Sequence, residues 1–420
     1  MTKKVLVRGP ALTQSGYGEH TRFLLRSLKD NPDKYDIYLV ALNWGQTGWL
    51  SEDNEERRWF DELILKTHLH VQQGGQFDVS VQVSIPNEWE VLAPYNVGVT
   101  AGIETTKVAP IWLERCNMMN KVITISEHSK KSFIESVYQG FHRDTNQPLT
   151  LKCEVPVEVV HYPVKNYKAE DMALDLCYNF NYLMVAQWGP RKNLENAIKW
   201  WIEENYDEKV GLVIKTSLKN NSIMDREHTF KSLRGTIEAL LPPESKCKIY
   251  LLHGDLTEPQ MQSLYTNKKI KAFVSLSHGE GFGLPIFDAV CHGMPVIAPA
   301  WSGHCDFLYI PQENGKTKPF FADINYDIAP IQDFAVWQGV LEKDSMWCFP
   351  HEGHYKIRLR QVRKSYAKWK KKAKTLQDWA LEKFEADNQK KLFVDKIFDG
   401  VVSVENDWMA DIEDLIKEYE

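Results

Sequence analysis

The sequence predicts an α/β protein built from two successive parallel-sheet domains. Three observations carry this. The chain has 420 residues, too many for one ordinary core when a domain holds roughly 100–200. Short apolar runs alternate with longer amphipathic segments, the pattern of strands covered by helices on both faces. That alternation breaks at HYPVKNYK, residues 161–168, and then restarts.

In the first half, Val5–Val7, Ile37–Leu42, Val79–Val83, Val97–Thr100 and Val122–Ile125 read as buried strands. Glu19–Lys29 reads as a helix with Phe23, Leu24, Leu25 and Leu28 on one side. In the second half the strands are Tyr182–Ala186, Val210–Ile214, Ile249–Leu252, Ala272–Leu276 and Pro295–Ala298. Helices are expected at Asn193–Glu204, His228–Leu241, Glu258–Asn267 and Pro285–His292. Pro319–Gln332 reads as irregular. Ile357–Asp387 reads as one long helix, followed by helical Lys391–Val402 and Asp407–Glu420. The domains are placed at 1–165 and 166–395, with 396–420 as a C-terminal helix.

Composition narrows the function. With 51 basic and 57 acidic side chains the net charge is −6, which excludes a globally basic nucleic-acid binder. Seven cysteines form no CxxC pair, so a disulfide framework or zinc ribbon is not expected and a reducing compartment fits. The opening MTKKVLVRGPALTQSG holds a three-residue apolar run, where a signal peptide needs about 7–15. A cytoplasmic protein is expected, with any membrane contact peripheral.

The most informative stretch is Ser277–Leu308, SHGEGFGLPIFDAVCHGMPVIAPAWSGHCDFL. It leaves a buried strand through a loop containing Gly279, Gly281 and Gly283 and enters a helix near Pro285. Proline suits a first helical turn, and glycine-rich strand-to-helix turns expose N–H groups beside the positive helix end, a phosphate-binding geometry. Glu280 lies in the loop, and Asp288 lies eight residues on, about two helical turns away. Such a pair can hold hydroxyls at two places along one elongated ligand.

These residues resemble the retaining glycosyltransferases of the GT-B fold, family 4. Their donor domain carries an acid–x7–acid signature in a setting like EGFGLPxxEA, followed by GxPVIA and a small-residue turn. This chain reads EGFGLPIFDA and HGMPVIAPAWSG. The resemblance implies two facing Rossmann-like domains, an acceptor domain and then a donor domain, with a C-terminal crossover helix. It implies that Glu280 contacts the transferred sugar and Asp288 the nucleotide ribose, with Gly281, Phe282, Gly283 and Leu284 around the donor. The departure is Asp288, where the family usually has Glu.

Tyr182–Ile198, YLMVAQWGPRKNLENAI, resembles the family's strand, turn and basic residue before a helix. Lys192 matches the lysine that neutralises the donor pyrophosphate. The family arginine falls at Gln187, and Arg191 takes over its charge. Cations at a helix N-terminus are unfavourable unless an anion is present, which supports a phosphate site. Lys215, ending LVIK, lies at the same sheet edge as a further phosphate candidate. Gly254 and Leu256, in IYLLHGDL, match the segment facing the nucleotide base.

The first domain has its own glycine loop, GPALTQSGYGEH. Ser15, Gly16, Tyr17 and Gly18 precede a helix and resemble the family's donor-facing loop. Many relatives place a histidine near GIETTKVAPIW. Here Glu104 is the nearest ionisable group and the candidate to act on the acceptor. His20 is the other, although a lone helix histidine is more often structural. No DxD triplet occurs, so no metal and no cofactor are expected, and cations of the chain serve instead.

The resemblance implies transfer of a hexose from a nucleotide-diphosphate sugar to a hydroxyl acceptor, a glycan or a lipid-linked one. Lys356–Thr375 holds ten basic residues and no acid, a candidate contact for an anionic membrane or for DNA. A glycosyltransferase acting on hydroxylated DNA bases is therefore the alternative. A non-catalytic nucleotide-sugar-binding protein is the second, given Gln187 and the missing histidine.

Overall fold

The computed structural model describes residues 2–45, 47–141, 146–165, 167–170 and 172–401. The first domain begins β1 (Lys3–Gly9), α1 (Gly16–Lys29), β2 (Tyr35–Ala41), α2 (Glu55–Gln72), β3 (Val79–Val83) and β4 (Tyr95–Val99). It continues α3 (Pro110–Cys116), β5 (Lys121–Thr124), α4 (Glu127–Glu135), β6 (Val137–Phe141), β7 (Pro148–Lys152) and β8 (Val157–Val159). Six strands form a parallel sheet in the order β2-β1-β3-β4-β5-β8, and β6 and β7 form an exposed antiparallel hairpin.

The second domain runs β9 (Asn181–Val185), α5 (Leu194–Asn205), β10 (Gly211–Lys215), α6 (Ile223–Leu240), β11 (Lys248–Leu252), α7 (Glu258–Thr266) and β12 (Ile270–Val274). Then come α8 (Leu284–Cys291), β13 (Val296–Pro299), α9 (Cys305–Leu308), β14 (Tyr309–Pro311), β15 (Thr317–Pro319) and β16 (Ala322–Ile324). The chain closes with β17 (Tyr326–Pro330), β18 (Met346–Pro350), α10 (Glu352–Lys364), α11 (Tyr366–Lys383) and α12 (Ala386–Phe398). Its parallel sheet has the order β11-β10-β9-β12-β13-β16, so the order reverses between β9 and β12. In register, Leu183 of β9 lies between Val213 and Phe273.

The strands are continuous apolar runs because both sheet faces are covered. Val5, Val7, Val81, Val83, Val97 and Val99 are fully buried in one sheet, and Leu212, Ile214, Ala272 and Ile297 in the other. On α1 the buried side chains Phe23, Leu24, Leu25 and Leu28 each contribute about 1.5–3 kcal/mol. The Ser15 side chain caps this helix by accepting from Gly18 N at 2.9 Å.

Three expectations change. Pro319–Gln332 is ordered: β16 pairs in parallel with β13 as the sixth strand, and β17 pairs with β18. Three residues beside prolines are too few to show a period. The long helix is divided at Ser365 into α10, which packs on α5 and β16, and α11, which packs on α8. No Pro or Gly marks a break that tertiary packing imposes. The return to the first domain is made by α12, which packs on α1 and β5 from Ala386 onward; residues 402–420 lie outside the described residues.

The basic stretch is less free than its sequence implies. Lys356 pairs with Glu203, Arg358 with Asp323, Arg360 with Glu204 and Arg363 with Glu208. Lys370 donates to the Gly293 carbonyl at 2.6 Å, and Trp369 is buried. The acids absent from the segment are supplied by α5, the turn that follows it and β16. All seven cysteines are free thiols. Among the described residues no helix is long and apolar enough to cross a membrane.

Candidate active site

The loops leaving β9 and β12 meet at the point where the strand order reverses, the position where open α/β sheets form ligand crevices. After β9, Gly189 leads into a single 3₁₀ turn, Pro190–Lys192, and Asn193 in the left-handed region starts α5. After β12, Ser277 to Gly283 form the glycine loop, and Gly283 (φ +95°) starts α8. The two loops are tied together: His278 N donates to the Arg191 carbonyl at 2.8 Å, and Arg191 Nη1 to the Gly279 carbonyl at 2.8 Å.

Glu280 is the centre of this junction. Its carboxylate accepts from Arg191 Nη1 at 3.0 Å and from Lys192 Nζ at 2.5 Å. Burial alone would raise its pKa, but Lys192 and Arg191 outweigh burial and hold it near 2. Burial and the neighbouring Arg191 pull the Lys192 ammonium down. The anion that a cationic helix start requires is thus present within the chain. Ser302, held at φ +79°, fixes the loop by accepting from Glu280 N at 2.9 Å.

Glu104 reaches this cluster from the other domain, 3.3 Å from Arg191 Nε. The approach is close. A Cβ on Gly279 would lie 2.2 Å from the Glu104 carbonyl, and one on Gly281 would lie 2.3 Å from the Ala101 carbonyl. Only glycine fits at either place. Two cations and two carboxylates therefore form a neutral cluster across the cleft.

Asp288, in the second turn of α8, stands in a different group. It faces Lys165, Glu258 of α7 and Glu19 of α1. Burial pushes its pKa up to about 7, Lys165 opposes, and Glu258 and Glu19 add to the rise. Lys165 Nζ lies 2.9 Å from Glu258 and 3.9 Å from Glu19. Glu19 is held near 2, against its burial, by Lys165, Arg22 and Arg26. One lysine thus joins the two domains at this second locus.

The other predicted residues lie outside these two groups. Gly16 opens onto free space where a Cβ would sit. Tyr17 donates to or accepts from Thr100 Oγ1 at 2.8 Å and packs on Trp44 at 4.2 Å. Gly18 abuts the Thr13 carbonyl. Lys215 ends β10 beside β9 and faces Asp255 rather than Glu280. Gly254 (φ +114°) has open space above it, and Leu256 packs on the main core. Leu284 starts α8, whereas the Phe282 ring is buried among Tyr162, Phe287 and Phe307 at 4.9–5.3 Å. His20 is fully buried between Tyr162 and Phe393, and burial lowers its pKa to about 3. Its burial and its aromatic neighbours give it a structural role.

Sequence reasoning missed Lys165, Glu19 and Ser302. Lys165 lies in a stretch without period, and Glu19 reads as a helix-start acid. Ser302 sits in the small-residue turn AWSG, where a position requiring positive φ was the available signal. Among the described residues no three His, Cys, Asp or Glu side chains gather as metal ligands.

Two facing parallel α/β sheets, a crossover helix and a cleft at the sheet edges define a GT-B fold. Comparison with known proteins bears this out. Anabaena HepE, solved with UDP and glucose, is 12% identical, with a TM-score of 0.59 over 94% of this chain and 99% of that one. Sucrose-phosphate synthase from Thermosynechococcus elongatus is also 12% identical, with a TM-score of 0.59 over 95% of this chain and 99% of that one. The lipopolysaccharide outer core galactosyltransferase WaaB is 11% identical, with a TM-score of 0.53 over 95% and 99%. No family model and no curated protein matches the sequence.

Proposed function

We propose that the chain is a retaining glycosyltransferase that moves a hexose from a nucleotide-diphosphate sugar to a hydroxyl acceptor. The observation that supports this best is the convergence of Arg191, Lys192 and Glu280 at the strand-order reversal of the second sheet. HepE, of like fold, was solved with UDP and glucose.

In this reading the donor diphosphate lies on Arg191 and Lys192, competing with Glu280 and Glu104 for the same cations. Those fixed charges stabilise the negative charge that grows on the departing phosphate. Glu280 then turns to the hydroxyls of the transferred sugar, and Asp288 accepts from the ribose. Attack comes from the face the phosphate leaves. The acceptor O–H proton passes to the departing phosphate oxygen as the new C–O bond forms and the sugar–phosphate bond breaks. Glu104 stands on the acceptor side and holds Arg191.

A panel of UDP-, GDP- and ADP-sugars, incubated without acceptor, tests the reading. One donor should release its nucleoside diphosphate slowly. Calorimetry showing no binding of any nucleoside diphosphate would overturn it.

A further inference from the structure

Between β17 and β18 the chain forms a strap, residues 331–345, that belongs to neither six-stranded sheet. Its base is tied to the loop carrying Glu280. Trp347 stacks on His278 at 4.9 Å and 11°, His278 Nδ1 lies 2.6 Å from the Cys348 carbonyl, and Cys348 N donates to the His278 carbonyl at 3.0 Å. Its tip crosses to the first domain. Asn87 Nδ2 donates to the Gly339 carbonyl at 3.0 Å, Thr106 N donates to the Met346 carbonyl at 2.9 Å, and Lys107 pairs with Asp344.

On this strap Phe334 is 74% exposed and Trp337 is 59% exposed. The 3₁₀ turn Asp333–Ala335 that carries Phe334 packs beside the turn Pro190–Lys192. Phe334 thus stands in water beside the turn that carries Arg191 and Lys192, and Trp337 stands in water three residues on, where the strap runs toward the first domain. With Val336 between them also exposed, three large apolar side chains within four residues face water, and exposed apolar surface of this kind marks binding sites.

Resting on the glycosyltransferase reading, we propose that the strap is the acceptor platform and that its ligand is a neutral saccharide. An aromatic face attracts the partly positive C–H face of a sugar ring. Polar groups stand alongside: Asn87 and Glu342, each bonded to the Gly339 backbone, and Asp333, paired with Lys343, would turn to the sugar hydroxyls on binding. Charge gives a polyanion little to hold: the two bases at the strap, Lys343 and Lys107, are already paired, with Asp333 and Asp344, and Glu342 remains. Glu104, on the facing domain, is paired with Arg191 and leaves no free cation there. A DNA or anionic-lipid acceptor would find no unpaired cation on the strap, and the basic residues of α10 that would attract it are largely paired.

The full chain applied to an array of neutral oligosaccharides, printed beside sulfated and sialylated ones and a duplex DNA, tests this. Neutral saccharides should bind. The affinity should fall at least about tenfold in Trp337→Ala and in Phe334→Ala and be kept in Trp337→Tyr and Phe334→Tyr. Nucleoside-diphosphate affinity should be unchanged in all four, since both rings lie outside the cation cluster. Equal saccharide binding in the alanine variants, binding confined to DNA or acidic glycans, or no glycan bound would overturn the platform. Absence of nucleotide binding in the unmodified chain would instead overturn the glycosyltransferase reading beneath it.

Discussion

Glu280 and Asp288 lie eight residues apart on one loop and helix, and burial acts on both in the same direction. Their neighbours send them opposite ways. Two cations at 2.5 and 3.0 Å keep Glu280 ionised far below the ordinary carboxylate range. Asp288 shares one lysine with two other carboxylates and is held near neutrality. The pair shows that an acid–x7–acid spacing does not fix what each acid does. The first is a permanent anion locked in an ion cluster, and the second exchanges a proton in the physiological range.

The largest difference should appear on removing charge from Glu280. Glu280→Gln leaves Lys192 and half of Arg191 unpaired in a buried site, which costs about 3–5 kcal/mol. Chemical denaturation should show that loss, and turnover should fall at least about tenfold, near 1.4 kcal/mol of transition-state stabilisation. Unchanged turnover would remove Glu280 from the site. Asp288→Asn should be much milder in stability.

The next effect concerns the cations. Arg191→Ala with Lys192→Ala should weaken nucleoside-diphosphate binding at least about tenfold, since charge-assisted hydrogen bonds contribute about 1.5–3 kcal/mol each. Nucleoside affinity should change little. Calorimetry giving equal losses for both ligands would break the assignment of diphosphate to the Glu280 end.

The third effect separates the two acids by pH. Asp288 titrates near 7 in the native chain and near 3.9 unfolded. The native state therefore binds more protons between those values, and this group's contribution to stability declines as pH rises from about 4 to 7. A ribose hydroxyl donates best to the carboxylate, so nucleotide affinity should rise about tenfold between pH 6 and pH 8. In Asp288→Asn that slope should vanish. Glu280, with its pKa near 2, has the opposite sign: its stabilisation is complete above about 4.5 and is lost as pH falls toward 2. A slope that survives in Asp288→Asn would place the titrating group elsewhere.

The smallest expected effect is none. The positive charge at the Glu280 end comes from Arg191 and Lys192, so donor hydrolysis should persist in EDTA. A loss restored by Mg²⁺ or Mn²⁺ would show that those two residues do not suffice.

Most strands were legible because continuous Val, Ile and Leu runs leave few alternatives when both faces are buried. Val79–Val83 was read with the bounds that β3 has. The Glu280 loop was legible because its glycines answer local needs: a positive φ at Gly283 and close backbone approach at Gly279 and Gly281. What the sequence hid depends on chain far away. The break at Ser365 follows from packing on two different partners. Lys356, Arg358, Arg360 and Arg363 read as a charge run because their acids lie elsewhere in sequence. Lys165 sits in an unpatterned stretch, and only the folded chain brings it between Glu19 and Glu258.

The two places where the chain crosses between domains are fastened to each other. Val164 N donates to the Phe384 carbonyl at 2.8 Å, and His161 packs on the Phe384 ring at 5.3 Å. Two crossings joined at one point behave as a single spine. Relative motion of the halves is then a swing about one axis, like covers of a book. Glu104–Arg191, Asn87–Gly339, Thr106–Met346, Lys107–Asp344 and Glu127–Asp306 join the halves away from the Val164–Phe384 bond and would have to part in such a swing. Access to the cleft is thus governed by a few polar latches, and the aromatic binding around Phe384 keeps the pages in register.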